Sequence, residues 1–143
     1  MNQAELRRMA LLRIRDAKVL LNGRRWGFAY YVSGYAIECA LKSCLLARMI
    51  HTAWVFEEQW KASNCLTHDF SVLIRLSGLT DEVNARLAAS SSARDTFDAN
   101  WGTVLQWKPT SRYISKAETE AKDLYAAIVH KPDGVLRWLL KYW

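Results

Sequence analysis

The sequence predicts an all-α protein, an up-and-down bundle of four to five helices closed by a short C-terminal helical tail. Three observations predict it. Residues 28–50 (FAYYVSGYAIECALKSCLLARMI) contain no proline and one glycine, and their apolar positions recur with the 3.6-residue period of a helix. No stretch alternates convincingly with period two, which leaves nothing to build a sheet. Helix start and stop signals divide the remainder into short segments. At 143 residues, with 51% of them hydrophobic, the chain is long enough for one domain, 1–143, with a real core.

The first helix opens on Asn2-Gln-Ala-Glu5, which has capping-box spacing. Leu6, Met9, Ala10, Ile14, Ala17, Leu20 and Leu21 then recur at helical spacing, and Asn22-Gly23 is the expected stop near residue 21. The second helix runs from about Trp26 to His51 and is the organising element. Phe28, Tyr31, Tyr35 and Cys39 mark one stripe on it, with Val32, Ala36, Ala40, Ile37, Leu41 and Cys44 filling in beside it. A link this short makes the two helices antiparallel neighbours. Trp54, Val55, Phe56 and Trp60 then predict a short helix or an aromatic lid.

A third helix opens at Thr67-His68-Asp69, with Thr67 or Asn64 as cap, and ends at Gly78. Thr80 caps a fourth that runs to about Gln106, broken near Ser90-Ser91-Ser92. Trp107–Tyr113 reads as a loop, because Pro109 disfavours helix at Lys108. Ser115-Lys-Ala-Glu118 has capping-box spacing before a helix whose core face is Ala117, Ala121, Leu124, Tyr125, Ile128 and Val129. Lys131-Pro-Asp-Gly134 breaks the chain, and Asp133 is the expected cap of a last segment, Val135–Trp143, too apolar to hang free in solvent.

The net charge of +6 is concentrated at the ends. Residues 1–25 hold seven basic residues against two acidic ones, and 131–143 hold three against one. Such ends permit phosphate or nucleic-acid binding, and serve equally as a solubilising face. Glu38 and Lys42 interrupt the longest apolar run, so no membrane span is expected. The charged N-terminus lacks a signal-peptide apolar region. Cys39, Cys44 and Cys65 are odd in number and match no zinc spacing, which fits reduced thiols of a cytoplasmic protein.

Little catalytic chemistry is legible. His51, His68 and His130 stand in no metal-binding pattern, phosphate-binding glycine loops and nucleophile motifs are absent, and neither cofactor nor metal is expected. The paired acids Glu57-Glu58 and Asp81-Glu82 read as helix-start or surface charge. Three features remain. Glu38 and Lys42, at i,i+4, are either a solvated ridge or a polar handle on a cleft. His68 at a helix start either binds an anion or sits beside a cap. Arg112 and Tyr113 in the proline loop suit phosphate contact and base stacking, or else a salt bridge to Glu38. Arg112 is the expected partner of Glu38, leaving Lys42, His68 and Tyr113 to meet an anionic ligand in one polar cleft.

Five motifs in order carry a family resemblance: A-x-x-LL in the first helix, Y-x-x-x-Y-A-I-E-x-A-L-K at Tyr31–Lys42, T-H-D-F-x-x-L at Thr67–Leu73, W-K-P-T-S-R-Y at Trp107–Tyr113 and G-V-L-x-W-L at Gly134–Leu139. Over nearly its whole length the chain resembles the HEPN domain family (higher eukaryotes and prokaryotes nucleotide-binding). The resemblance implies a helical bundle, usually dimeric, that binds nucleotide or RNA. Many members pair with a minimal nucleotidyltransferase in toxin–antitoxin systems, and others are metal-independent ribonucleases. The ribonuclease members carry R-x(4–6)-H, and no arginine here has a histidine at that spacing. The expected function is therefore a nucleotide- or RNA-binding module, a homodimer with a nucleotidyltransferase partner. An endoribonuclease toxin with a rearranged site and a non-catalytic scaffold are the alternatives. The high tryptophan and tyrosine content, seven and six, predicts an exposed apolar patch and a homodimer.

Overall fold

The computed structural model describes residues 1–52, 62–90, 92 and 94–143. Over them the protein is all-helical, with eight α-helices and one 3-10 turn, and no strand among the described residues. α1 (Gln3–Asn22) and α2 (Trp26–Thr52) form a long hairpin. α7 (Glu118–Val129) lies against α2, and α6 (Phe97–Leu105) lies against α7. α4 (Phe70–Leu76) and the 3-10 turn Pro109–Tyr113 cover a further face of α2. α3 (Ala62–Cys65), α5 (Thr80–Ala89) and α8 (Val135–Leu139) complete the set. The expected aromatic lid at Trp54–Trp60 and the pair Glu57-Glu58 lie outside the described residues.

Local chemistry explains most boundaries. Asn2 and Glu5 make the expected reciprocal box, the Glu5 N–H donating to Asn2 Oδ1 and the Asn2 N–H to Glu5 Oε2, each at 2.9 Å. α4 ends as expected at Gly78, whose φ of +69° is the left-handed conformation that closes a helix. α1 ends differently. Gly23 keeps φ −82°, and it is Arg24 that turns left-handed at φ +56°. The Arg25 N–H reaches Leu20 O at 2.8 Å and the Arg24 N–H reaches Leu21 O at 3.0 Å. These are the two bonds of a Schellman end, with arginine where glycine is usual.

Four expected caps are corrected. Asp69, not Thr67 or Asn64, caps α4, accepting from the Ser71 and Val72 N–H groups. Thr80 is the first residue of α5 rather than its cap, and Leu79 precedes it without a side-chain bond. Ser115 lies outside α7; Glu120 instead accepts from the Ala117 N–H at 2.8 Å, the half of a box that alanine permits. Asp133 does not cap α8, which Gly134 precedes. Its carboxylate is drawn to other donors: the Thr96 N–H at 3.1 Å and Arg86 Nη2 at 3.3 Å. Arg86 also grips Asp95 through both Nη atoms, at 2.7 and 3.0 Å, and lies over the Phe97 ring. This network ties the break between α5 and α6 to the turn before α8.

The core runs along α2, where Ala29, Ala36, Ile37, Ala40, Leu41 and Cys44 are buried. α8 packs back as expected on α7, α2 and α6, with Val135, Leu136, Trp138 and Leu139 buried and Trp138 against Phe97 and Trp101. Burial pushes the Cys44 thiol up to about 12 and the Cys39 thiol up to about 11, so both stay protonated. The aromatic argument for a patch needs correction: Trp101, Trp107 and Trp138 are buried. The exposed apolar groups are others, among them Phe28, Tyr113, Ile114 and, on α1, Leu11, Leu12 and Val19. Among the described residues no helix is long and apolar enough to cross a membrane.

Candidate functional site

Five side chains form one line along α2: Phe28, Tyr31, Tyr35, Glu38 and Lys42, spaced so that each lies a turn above the last. This stripe is not the deep core. Tyr31 and Tyr35 are half-buried, and Phe28 is 60% exposed. Phe28 meets Tyr31 edge-on at 6.3 Å, and Tyr31 stacks on Tyr35 at 6.2 Å and on Trp107 at 6.1 Å. Trp107 in turn stacks on Phe70, at 5.0 Å.

Trp107 reaches this place because of Gly34. The indole lies directly on the α2 backbone there, and a Cβ at residue 34 would overlap its ring. An isolated glycine inside an apolar helix is the sequence signal for such a close approach. Neither Gly34 nor Trp107 emerges as a site residue from sequence reasoning, yet together they bring the loop against the helix. The Trp107 Nε1 is buried and finds no acceptor among the described residues.

At one end of the stripe the Glu38 carboxylate is 3% exposed and receives two donors. Lys42 Nζ donates to Oε1 at 2.8 Å, and His68 Nδ1 lies 2.9 Å from both carboxylate oxygens. An ionised carboxylate only accepts, so Nδ1 carries the hydrogen and Nε2 is left for a ligand. The His68 side chain is 55% exposed and lines a cavity of about 390 Å³ with Asp69, Phe70, Ser71, Trp107 and Lys108. Neutral, Nε2 accepts a hydrogen bond; protonated, the ring holds an anion.

Arg112 is not the partner of Glu38. Its guanidinium lies 4.8 Å from the Tyr113 ring, beside Tyr31, and both are at the other end of the stripe. Tyr31 and Glu38 are seven positions apart, about 10 Å along the helix axis. The nearby oxygens of Tyr113 and Tyr31 favour the charged form of the guanidinium, which is already permanent at neutral pH. Arg112 and Tyr113 line a second cavity of about 370 Å³ with Trp26, Phe28, Ile114 and Lys116. The five expected residues thus divide. Glu38, Lys42 and His68 meet at one end of the stripe, and Arg112 and Tyr113 meet at the other. Glu38 finds its partners in Lys42 on its own helix and in His68 just before α4.

The stripe thus presents His68 over a cavity at one end and Arg112 over another at the other, with Tyr31 and Tyr35 between them. Among the described residues no three His, Cys, Asp or Glu side chains gather closely enough for a metal ion. No family model, curated protein or solved structure matches this chain.

Proposed function

We propose that the protein is a HEPN-type module that binds a nucleotide or a short RNA segment along the α2 stripe without cleaving it. One observation carries the reading. Three segments far apart in sequence, 31–42, 67–73 and 107–113, pack onto one another through the Glu38–His68, Phe70–Trp107 and Tyr31–Trp107 contacts. These are three of the segments on which the resemblance rests. A phosphate is suited to either cationic end, and a base to the exposed Tyr113 ring. The missing R-x(4–6)-H spacing speaks for binding over ribonuclease chemistry.

A homodimer and a minimal nucleotidyltransferase partner belong to the same reading. The exposed Leu11, Leu12 and Val19 on α1 support a protein contact there. Light scattering at micromolar concentration is expected to return the dimer mass; a monomer mass counts against it.

Calorimetric titration with nucleoside triphosphates and short oligoribonucleotides tests the binding. Saturable binding is expected, weakened about tenfold or more in Arg112→Ala and in His68→Ala with little change in melting temperature. RNA recovered from the mixture should be intact. Absence of binding by every probe, or binding indifferent to both substitutions, overturns the reading.

A further inference from the structure

The stripe does not end at Phe28. Beyond it lies the elbow between α1 and α2, where Arg24, Arg25, Trp26, Phe28 and Leu20 line an open depression of about 640 Å³. Trp26 and Phe28 belong also to the cavity that holds Arg112 and Tyr113, so the two depressions adjoin. We infer that this elbow extends the α2 site into a track for single-stranded nucleic acid several nucleotides long. The inference rests on the proposed binding function and adds to it the ligand's class and path.

Charge comes first. Arg24 and Arg25 are exposed, and neither is in an ion pair among the described residues. The other cations of the neighbourhood differ: Lys116 is paired with Glu120 and Lys122 with Glu118. Two guanidiniums outside any ion pair, followed by Arg112 in the adjoining cavity, make a row of three; Glu118, which lines a depression with Arg24, is itself paired with Lys122. Such a row suits a chain of phosphates and repels a second copy of the same surface.

Aromatic faces accompany the row. Phe28 is 60% and Tyr113 78% exposed, and Trp26 is half-buried beside them. Large apolar rings in water among arginines are poorly explained by folding alone. Stacking of successive bases uses such faces without regard to base identity, while guanidiniums follow the backbone. A rigid duplex keeps its bases inside and cannot use them.

Fluorescence anisotropy with a labelled oligouridylate of about ten nucleotides tests this, beside uridine triphosphate and a duplex of equal length. The variants are the double substitution R24E/R25E, the single R25E and H68A, each verified by its melting curve. The wild type should bind the oligonucleotide more tightly than the triphosphate or the duplex. Three phosphate contacts imply a loss of about tenfold or more between about 50 and about 200 mM salt. R24E/R25E should weaken the oligonucleotide about tenfold with R25E between, and leave the triphosphate unchanged. H68A should weaken the triphosphate. Triphosphate binding with no gain for the oligonucleotide overturns the track and leaves the α2 site standing. So does an oligonucleotide affinity within about twofold of wild type in R24E/R25E, a duplex that competes equally, or a change of oligomeric mass in that variant. Absence of binding by either probe overturns both readings together.

Discussion

His68 Nδ1 lies 2.9 Å from the carboxylate of Glu38, although the two residues are 30 positions apart. The carboxylate is 3% exposed, Lys42 21% and His68 55%. Lys42 is therefore the permanent counter-charge of a buried anion, and His68 the group presented to solvent. Replacing Lys42 with Met should cost about 3 kcal/mol in urea unfolding, because it strips a buried charge of its partner. His68→Ala should cost less than about 1 kcal/mol while impairing ligand binding. Equal losses from the two would show that the division of roles is wrong.

Gly34 and Trp107 should be coupled with a change of sign. Gly34→Ala in the wild type forces the indole off the helix, an overpacking loss of about 2 kcal/mol. In a Trp107→Ala background the obstacle is gone. The same substitution should then stabilise by up to about 1 kcal/mol through helix propensity. A double-mutant cycle by chemical denaturation reads both values, and additivity of the two changes would refute the contact.

Arg24 holds a left-handed backbone at φ +56° that glycine adopts without steric cost. Arg24→Gly should therefore raise stability by about 1 kcal/mol. It should also weaken oligonucleotide binding if the elbow carries the track. Stabilisation without loss of affinity would separate the strained turn from the ligand.

The Arg86 hydrogen bonds, aided by the Phe97 N–H, hold the Asp95 carboxyl well below the usual carboxylate range. A depressed folded-state value means stabilisation that is complete above the unfolded carboxylate range, near pH 4, and lost as pH falls below it. Melting temperature should thus decline between about pH 4 and pH 2, and less steeply in Asp95→Asn. Parallel curves for the two proteins would remove Asp95 from the acid response.

Helix type and order were legible because periodicity and punctuation report local preferences. The 3.6-residue pattern of α2 and the Asn2–Glu5 box needed nothing beyond neighbouring residues. Caps were less legible where several polar residues stood together. Thr67, Asp69 and Asn64 are all cap-forming residue types, and the register of the buried Phe70 and Leu73 decides for Asp69. Asp133 looked like a cap in isolation, but Arg86, 47 positions away, competes for its carboxylate. At the site, the costly buried charge of Glu38 correctly called for partners from elsewhere. Their choice was half legible: His68 arrives through α4, while Arg112 is held about two helical turns away by the seat of Trp107 on Gly34.

The burial of α8 also has a consequence during synthesis. Val135 and Leu139 are fully enclosed, and Trp138 meets both Phe97 and Trp101. On the ribosome α8 emerges after α6, so Phe97 and Trp101 must wait without Trp138. Closure of the core over these rings follows the arrival of α8, and until then the nascent chain presents sticky surface to chaperones.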